Sequence, residues 1–149
     1  MIEQASKVDA YEILNLQKLA YKSEAELYND FTIPPLIQTI EEIKEEFSYK
    51  IILKYIIENK IVGSVRAYKQ NNNCFIGRVI VHPVYQNQGI GKKLMNAIER
   101  KFSGVNRFEL FTGYRSEKNL YLYKKLGYKI FKTEILNDKV KLRFLEKIL

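Results

Sequence analysis

The sequence predicts a single α/β domain: a mixed, mostly antiparallel sheet flanked by helices, with one parallel strand pair in its second half. Three observations predict it. Apolar residues alternate with period two in short runs such as "YKIILKYII" and "KIVGSVRAY", as half-buried strands require. The connections "ENK" at 58–60 and "NNN" at 71–73 are short enough only for hairpins, which makes the strands they join antiparallel. Later strands are separated by helix-length segments, and a strand-helix-strand unit favours parallel pairing.

The elements follow in order. After a short N-terminal strand, Ile13, Leu16, Ala20 and Leu27 fall near one face of a helix from about Val8 to Tyr28, with Ser6 or Asp9 as its cap. "NDFTIPPL" breaks it, because consecutive prolines remove donors and push the preceding residue out of helical geometry. A second helix carries Leu36, Ile40, Ile43 and Phe47 on one face and glutamates on the other. The two hairpin strands come next, and "CFIGRVIV" then runs as a further strand into His82-Pro83. Beyond Gly91, Leu94, Ile98 and Phe102 mark a helix that ends near Ser103-Gly104. "RFELFT" is a strand, "SEKNLYLYKKLGY" a helix opened by Ser116 as N-cap and closed at Gly127, and "KIFKTEIL" and "KVKLRFLEKI" a closing hairpin. The predicted order is β-α-α-β-β-β-α-β-α-β-β.

Composition narrows the function classes. At 149 residues the chain falls in the size range of about 100–200 residues common for one domain, and 46% apolar with 28% charged residues suits a globular protein. Lysines interrupt the richest apolar region, so no segment reaches the roughly 20 apolar residues of a spanning helix, and the first ten residues lack a secretory pattern. Cys74 is the sole cysteine, which leaves no internal disulfide and fits a reducing cytoplasm. The net charge of +8 suits an anionic ligand and is unevenly spread. Glu24, Glu26, Asp30, Glu41, Glu42, Glu45 and Glu46 stand against Lys44 alone, a net of −6 over residues 24–46, and residues 47–149 carry +14.

The chemistry concentrates in "VIVHPVYQNQGIGKKLM", Val79 to Met95, where an apolar strand passes through two glycines into a helix. Such a turn presents unpaired N–H groups at the positive end of a helix dipole, and Gly89 and Gly91 let an anion approach the backbone. A plain turn before a basic helix start is the other reading. The spacing excludes a P-loop, which needs glycine at Gln86 and a hydroxyl residue at Lys93. It also excludes the dinucleotide fingerprint, which needs glycine at Leu94.

The stretch Gln86-Asn87-Gln88-Gly89-Ile90-Gly91 resembles the [QR]-x-x-G-x-[GA] signature of the GNAT superfamily of acyl-CoA-dependent N-acetyltransferases, and it follows "V-x-P" at Val81-His82-Pro83. "LYKKLGY", Leu122 to Tyr128, is similar to a second element of that family. The resemblance implies a GNAT-like sheet whose parallel pair splays into a V-shaped cleft, with acetyl-CoA as cofactor. Main chain of Val79, Ile80 and Val81 would meet the pantetheine arm, and amides of Gln88 to Lys92, in the loop from Gln86 and Asn87, the pyrophosphate. Lys92, Lys93 or Lys124 would meet the 3′-phosphate. Ser116, where relatives often have asparagine, or Asn119 would make a polar cofactor contact. Tyr123, which shares a helical face with both, would be the general acid, a role that a protonated phenol suits.

Many relatives carry a glutamate on the strand before the glycine loop; Arg78 sits in that neighbourhood here. The base is left open among Glu109, Glu24, Glu26, Glu41 and His82. The acidic segment suggests a cationic acceptor (a small amine, polyamine or peptide N-terminus), with Tyr28, Phe31, Glu24 and Glu109 as its contacts. Direct attack by the amine is expected; Cys74 as an acyl carrier lacks an evident partner. No metal, nucleic-acid or membrane partner is expected, and the chain is taken as monomer or homodimer. The rival readings are a non-catalytic acyl-CoA sensor and a basic nucleic-acid-binding module.

Overall fold

The computed structural model describes all 149 residues. Strand β1 (Ile2–Gln4) and a 3₁₀ turn (Lys7–Asp9) lead into α1 (Ala10–Tyr28), followed by α2 (Pro34–Ile37) and α3 (Ile40–Glu46). Three strands follow, β2 (Ile51–Ile57), β3 (Lys60–Gln70) and β4 (Asn73–Val81). A 3₁₀ turn at Pro83–Tyr85 precedes α4 (Ile90–Lys101), β5 (Arg107–Gly113), α5 (Glu117–Lys125), β6 (Lys129–Ile135) and β7 (Lys141–Ile148). No helix is long and apolar enough to cross a membrane.

The mixed sheet has the order β1-β2-β3-β4-β5-β7-β6, antiparallel except for β4 beside β5. The hairpin turns are tight for the reason their residues suggest: Glu58, Asn59, Asn71 and Asn72 all take positive φ, as two-residue hairpin loops demand. The last strand inserts between β5 and β6, so the closing hairpin is a true pair but its second arm is the one that joins the sheet.

Two differences from the expected helices have local causes. The second expected helix is two, because Gln38 is extended and Thr39 caps α3, accepting from the Glu42 amide at 3.1 Å while the Glu42 carboxylate accepts from the Thr39 amide at 2.8 Å. The prolines open α2 rather than only ending α1, since a first helical turn loses nothing with its missing N–H. Ser116 stands at the N-cap of α5, but its hydroxyl makes no cap hydrogen bond; it is engaged elsewhere, as described below.

A core lies on each face of the sheet. Alternation sends Leu53 toward Leu94, Met95 and Ile98 of α4, and its neighbour Ile52 toward Ile13, Leu16 and Ile43 of α1 and α3. The central strand β3, covered on both faces, is buried without interruption from Ile61 to Ala67. That run includes Arg66, which is 1% exposed. Its guanidinium donates to Glu46 at 2.8 Å and to Gln17 at 2.5 Å, Lys50 adds a second cation to Glu46, and Gln38 donates to the same carboxylate. Gln17 in turn donates to the Pro35 carbonyl at 2.9 Å. The network ties α1, α2 and α3 to the middle of the sheet.

Burial alone would raise the pKa of Glu46, but the charges of Arg66 and Lys50 and the Gln38 hydrogen bond outweigh it and hold the carboxyl below its usual value. A lowered folded-state pKa stabilises the fold above the unfolded pKa, and this increment disappears as the pH falls through the folded value. Glu46→Ala, which strands a buried guanidinium, is expected to cost about 3–5 kcal/mol in chemical denaturation. The wild type should lose stability on acidification below the ordinary glutamate pKa of roughly 4.3, and Glu46→Gln should lack that part of the pH dependence.

Candidate active site

The site begins with an irregularity in β4. Ser64 pairs with Ile80 and Arg66 with Gly77, so β4 carries one residue more than β3 between these rungs. Arg78, in that bulge, has φ of +50°, a left-handed conformation that few side-chain-bearing residues adopt. The parallel pairing with β5 covers only Asn73 to Phe75, opposite Arg107 to Glu109. Past Phe75 the two strands part, and the β5-facing edge of β4, including Val79, Ile80 and Val81, has no strand against it.

The glycine loop lies at the end of that free edge. Asn87 and Gly89 have φ of +64° and +81°, and open space surrounds the point where a Gly89 Cβ would stand. The first amide of this segment to find a backbone acceptor is that of Lys93, which donates to the Gly89 carbonyl at 3.1 Å. The backbone N–H groups from Gln86 to Lys92 have no acceptor within the chain, and they gather at the N-terminus of a three-turn helix. Unpaired donors at a helix start form a ready anion site.

Two cavities adjoin along the split. The larger, about 940 Å³, runs past Val79–Val81, most of the glycine loop, Lys92 and the start of α5. The smaller, about 210 Å³, is bounded by Arg78, Tyr28, Tyr123, Thr112 and the α2 prolines. Tyr21, Glu24, Val79 and Asn119 line both. An elongated ligand in the first can therefore present one end to a small ligand in the second.

A chain of polar groups supports the junction. The Ser116 hydroxyl donates to Glu24 Oε2 at 2.5 Å and accepts from the Tyr28 hydroxyl at 3.4 Å, and Tyr28 accepts from the Arg115 amide at 2.8 Å. Glu24 Oε1 is left free of partners. Burial raises the Glu24 pKa above the usual carboxylate range, with the Ser116 hydrogen bond a smaller opposing effect. Burial also raises the pKa of Tyr123, which is 4% exposed, and the nearby Tyr21 and Glu24 add to it. No group of the chain takes the Tyr123 hydroxyl, whereas neighbouring Tyr128 donates to Glu99 at 2.7 Å.

The structure thus brings together Val79, Ile80, Val81, Gln86, Asn87, Gly89, Ile90, Gly91, Lys92, Ser116, Asn119, Glu24, Tyr28 and Tyr123 around one split. Gln88 belongs to the loop but lines neither cavity. Phe31 and Glu109 stand apart: Phe31 is 54% exposed outside both cavities, and Glu109 is paired with Arg107 at 2.8 Å. Both are expected at the acceptor from the sequence, and neither lines either cavity. His82 uses Nδ1 to accept the Val84 amide in its own turn. Burial pushes the Cys74 thiol up to about 12, and it lines neither cavity, which removes it as an acyl carrier. Sequence reading missed Tyr21, Thr112 and the bulge itself, for which Gly77 inside a strand pattern was the available signal.

The chain belongs to the acetyltransferase (GNAT) family, whose profile matches residues 10–128. It is 27% identical over 124 residues to the UPF0157 protein YqkA of Bacillus subtilis (strain 168), covering 83% of this chain but 36% of that one, so it spans about a third of this curated relative. The fold is shared with PaiA N-acetyltransferase of Thermoplasma acidophilum, solved in complex with coenzyme A (TM-score 0.82, 16% identity, 100% and 98% of the two chains covered). It is shared also with ribosomal-protein-S18-alanine N-acetyltransferase of Escherichia coli (TM-score 0.82, 13% identity, 99% and 92% covered). A third likeness is smu.2055 of Streptococcus mutans UA159 (TM-score 0.85, 16% identity, 99% and 98% covered).

Gly113 tests how tightly the polar chain is held. A Cβ built there would stand 2.1 Å from the Tyr28 hydroxyl, so the tyrosine reaches Ser116 only across a residue without a side chain. Gly113→Ala is expected to cost about 1–3 kcal/mol of thermal or denaturant stability by displacing that ring. In combination with Tyr28→Ala the cost should be clearly less than additive, as a double-mutant cycle reads directly.

Proposed function

We propose that residues 1–149 form one N-acetyltransferase domain that moves the acetyl group of acetyl-CoA to a primary amine by direct attack, with Glu24 as base and Tyr123 as acid. The observation that carries this reading is the free edge of β4 leading into acceptor-less amides at the start of α4. Those donors and the open space at Gly89 fit an extended amide-bearing arm that ends in a pyrophosphate. When bound, acetyl-CoA supplies the activated thioester. The chain's own residues do the rest.

The amides of Gln88 to Lys92 bind the pyrophosphate, and Lys92 adds a positive charge at the cavity wall. The exposed main chain of Val79 to Val81 orients the pantetheine arm as an added strand would be oriented. Asn119, which lines both cavities and donates to Thr112 at 3.3 Å, offers the polar contact there. Ser116 is committed to Glu24 and acts by holding that carboxylate in one orientation.

An amine arrives as an ammonium ion and must lose a proton before it attacks. Glu24 lines both cavities with one oxygen free, and its raised pKa makes it a stronger proton acceptor than an exposed glutamate. Tyr123 holds its proton at Oη throughout the neutral range because burial disfavours the phenolate, so it has a proton to donate. Of the acidic segment, Glu24 alone reaches the cavities.

Calorimetry with acetyl-CoA and a thiol-release assay over an amine panel test the reading. Absence of acetyl-CoA binding would overturn it, and binding without turnover would leave a sensor. Tyr123→Phe should lower kcat by about 10²-fold or more with little change in the Kd for acetyl-CoA. In the wild type kcat should rise with pH through the Glu24 pKa, at a pH above the usual carboxylate range, since the deprotonated form is active. Glu24→Gln should lower kcat by about 10²-fold and flatten that acid limb.

A further inference from the structure

The smaller cavity holds two opposite charges that do not pair with each other. Glu24 is committed to the Ser116 hydroxyl through one oxygen only. Arg78 has no carboxylate within salt-bridge distance, and its Nε is sealed from solvent without any hydrogen-bond partner. Arg66, the fully buried arginine of the sheet, also leaves its Nε unpartnered, but its two terminal nitrogens are matched by Glu46 and Gln17, whereas half-buried Arg78 has no such match. A guanidinium held partly out of water without an anion is costly, and that cost falls when an anion is supplied. Around Arg78 stand the phenol of Tyr21, within hydrogen-bonding reach of the guanidinium, and the positive Arg66, and no carboxylate of the chain pairs with it.

The strain points the same way. Arg78 sits in the bulge with left-handed φ, an unfavourable conformation for a residue with a side chain, where glycine or asparagine would serve better. A bulge re-aims the side chain it carries, and this one borders the cavity. At about 210 Å³ the cavity is below the range of about 300–1,000 Å³ typical of drug-sized ligands, so its occupant is small.

Resting on the acetyltransferase reading above, we propose that the acceptor is a small amino carboxylate, whose carboxylate pairs with Arg78 while its amine meets Glu24. Arg78 is then a specificity-determining residue. A planar fork of donors matches a carboxylate in two-point contact, and the pair is strongest where water is excluded. This departs from the cationic acceptor suggested by the acidic run: the glutamates of α3 lie outside the cavity, and beside Glu24 it holds the unpaired positive charge of Arg78.

The test is calorimetric binding of α-, β- and γ-amino acids and their decarboxylated alkylamine counterparts, with coenzyme A present, to the wild type and to Arg78→Met and Arg78→Lys. Thiol release from acetyl-CoA is followed in parallel. At least one amino carboxylate should bind the wild type ten-fold or more tighter than its matched alkylamine. Arg78→Met should bring that ratio close to one, and Arg78→Lys should restore part of it. Thermal melting of each variant separates loss of the site from loss of the fold. A wild type that binds alkylamines as well as amino carboxylates, or a ratio that Arg78→Met leaves unchanged, overturns the assignment. Amino carboxylate binding that depends on Arg78 without any thiol release supports the assignment and overturns acetyl transfer instead.

Discussion

The extra residue in β4 is the constraint on which the site depends. A parallel pair can continue only while both strands keep register and twist; one inserted residue bends β4 away, and pairing with β5 stops after three rungs. The glycine loop and both cavities lie along the stretch beyond that point. The free edge of β4, the gap between the strands and the glycine loop at the mouth of the gap all lie on the stretch that carries the bulge. The bulge is also costly, since it leaves peptide groups of β4 without strand partners and holds Arg78 at positive φ.

Charge is distributed by the same logic. The acidic run from Glu24 to Glu46 reads as one patch in sequence, yet the fold divides it among distinct tasks. Glu46 is consumed by Arg66 and Lys50 and anchors the helices that border the smaller cavity. Asp30 accepts from Thr32 and Asn137 and fixes the turn after α1. Glu41, Glu42 and Glu45 face solvent, where each contributes little. Only Glu24 turns inward to the split. Its neighbour in function, Ser116, lies 92 residues away in sequence and forgoes capping its own helix to hold that carboxylate.

Much of the fold was legible because short-range rules govern it. The asparagine turns, the period-two strands and the glycine-started α4 are set by neighbours within a few residues, and they stand where their residues indicate. The glycine loop was legible for the same reason, since its geometry is local. The insertion of β7 between β5 and β6 was not, because hairpin chemistry fixes which strands pair and not which arm meets the rest of the sheet. Phe31 and Glu109 show the matching limit for the site. Each lies on an element that approaches the split, but whether a side chain faces the cavity depends on register and twist, which one chain read alone does not display. The bulge lay between these cases: Gly77-Arg78 inside an otherwise regular apolar strand was its only trace.

Placing arginine on the bulge has a consequence for where a base can stand. A carboxylate on the same strand would lie beside Arg78, and an ion pair between them would lower its pKa and weaken it as a proton acceptor. Glu24 instead faces the split from α1, and no arginine or lysine is among the groups that set its pKa, so burial dominates and keeps it basic. The smaller cavity thereby keeps a carboxylate of raised pKa and a guanidinium within one small volume. That arrangement holds only while the two do not reach each other, which the separate elements carrying them, a long helix and a strained strand, both enforce. A ligand with an amine at one end and a carboxylate at the other completes the electrostatics of such a cavity without quenching its base.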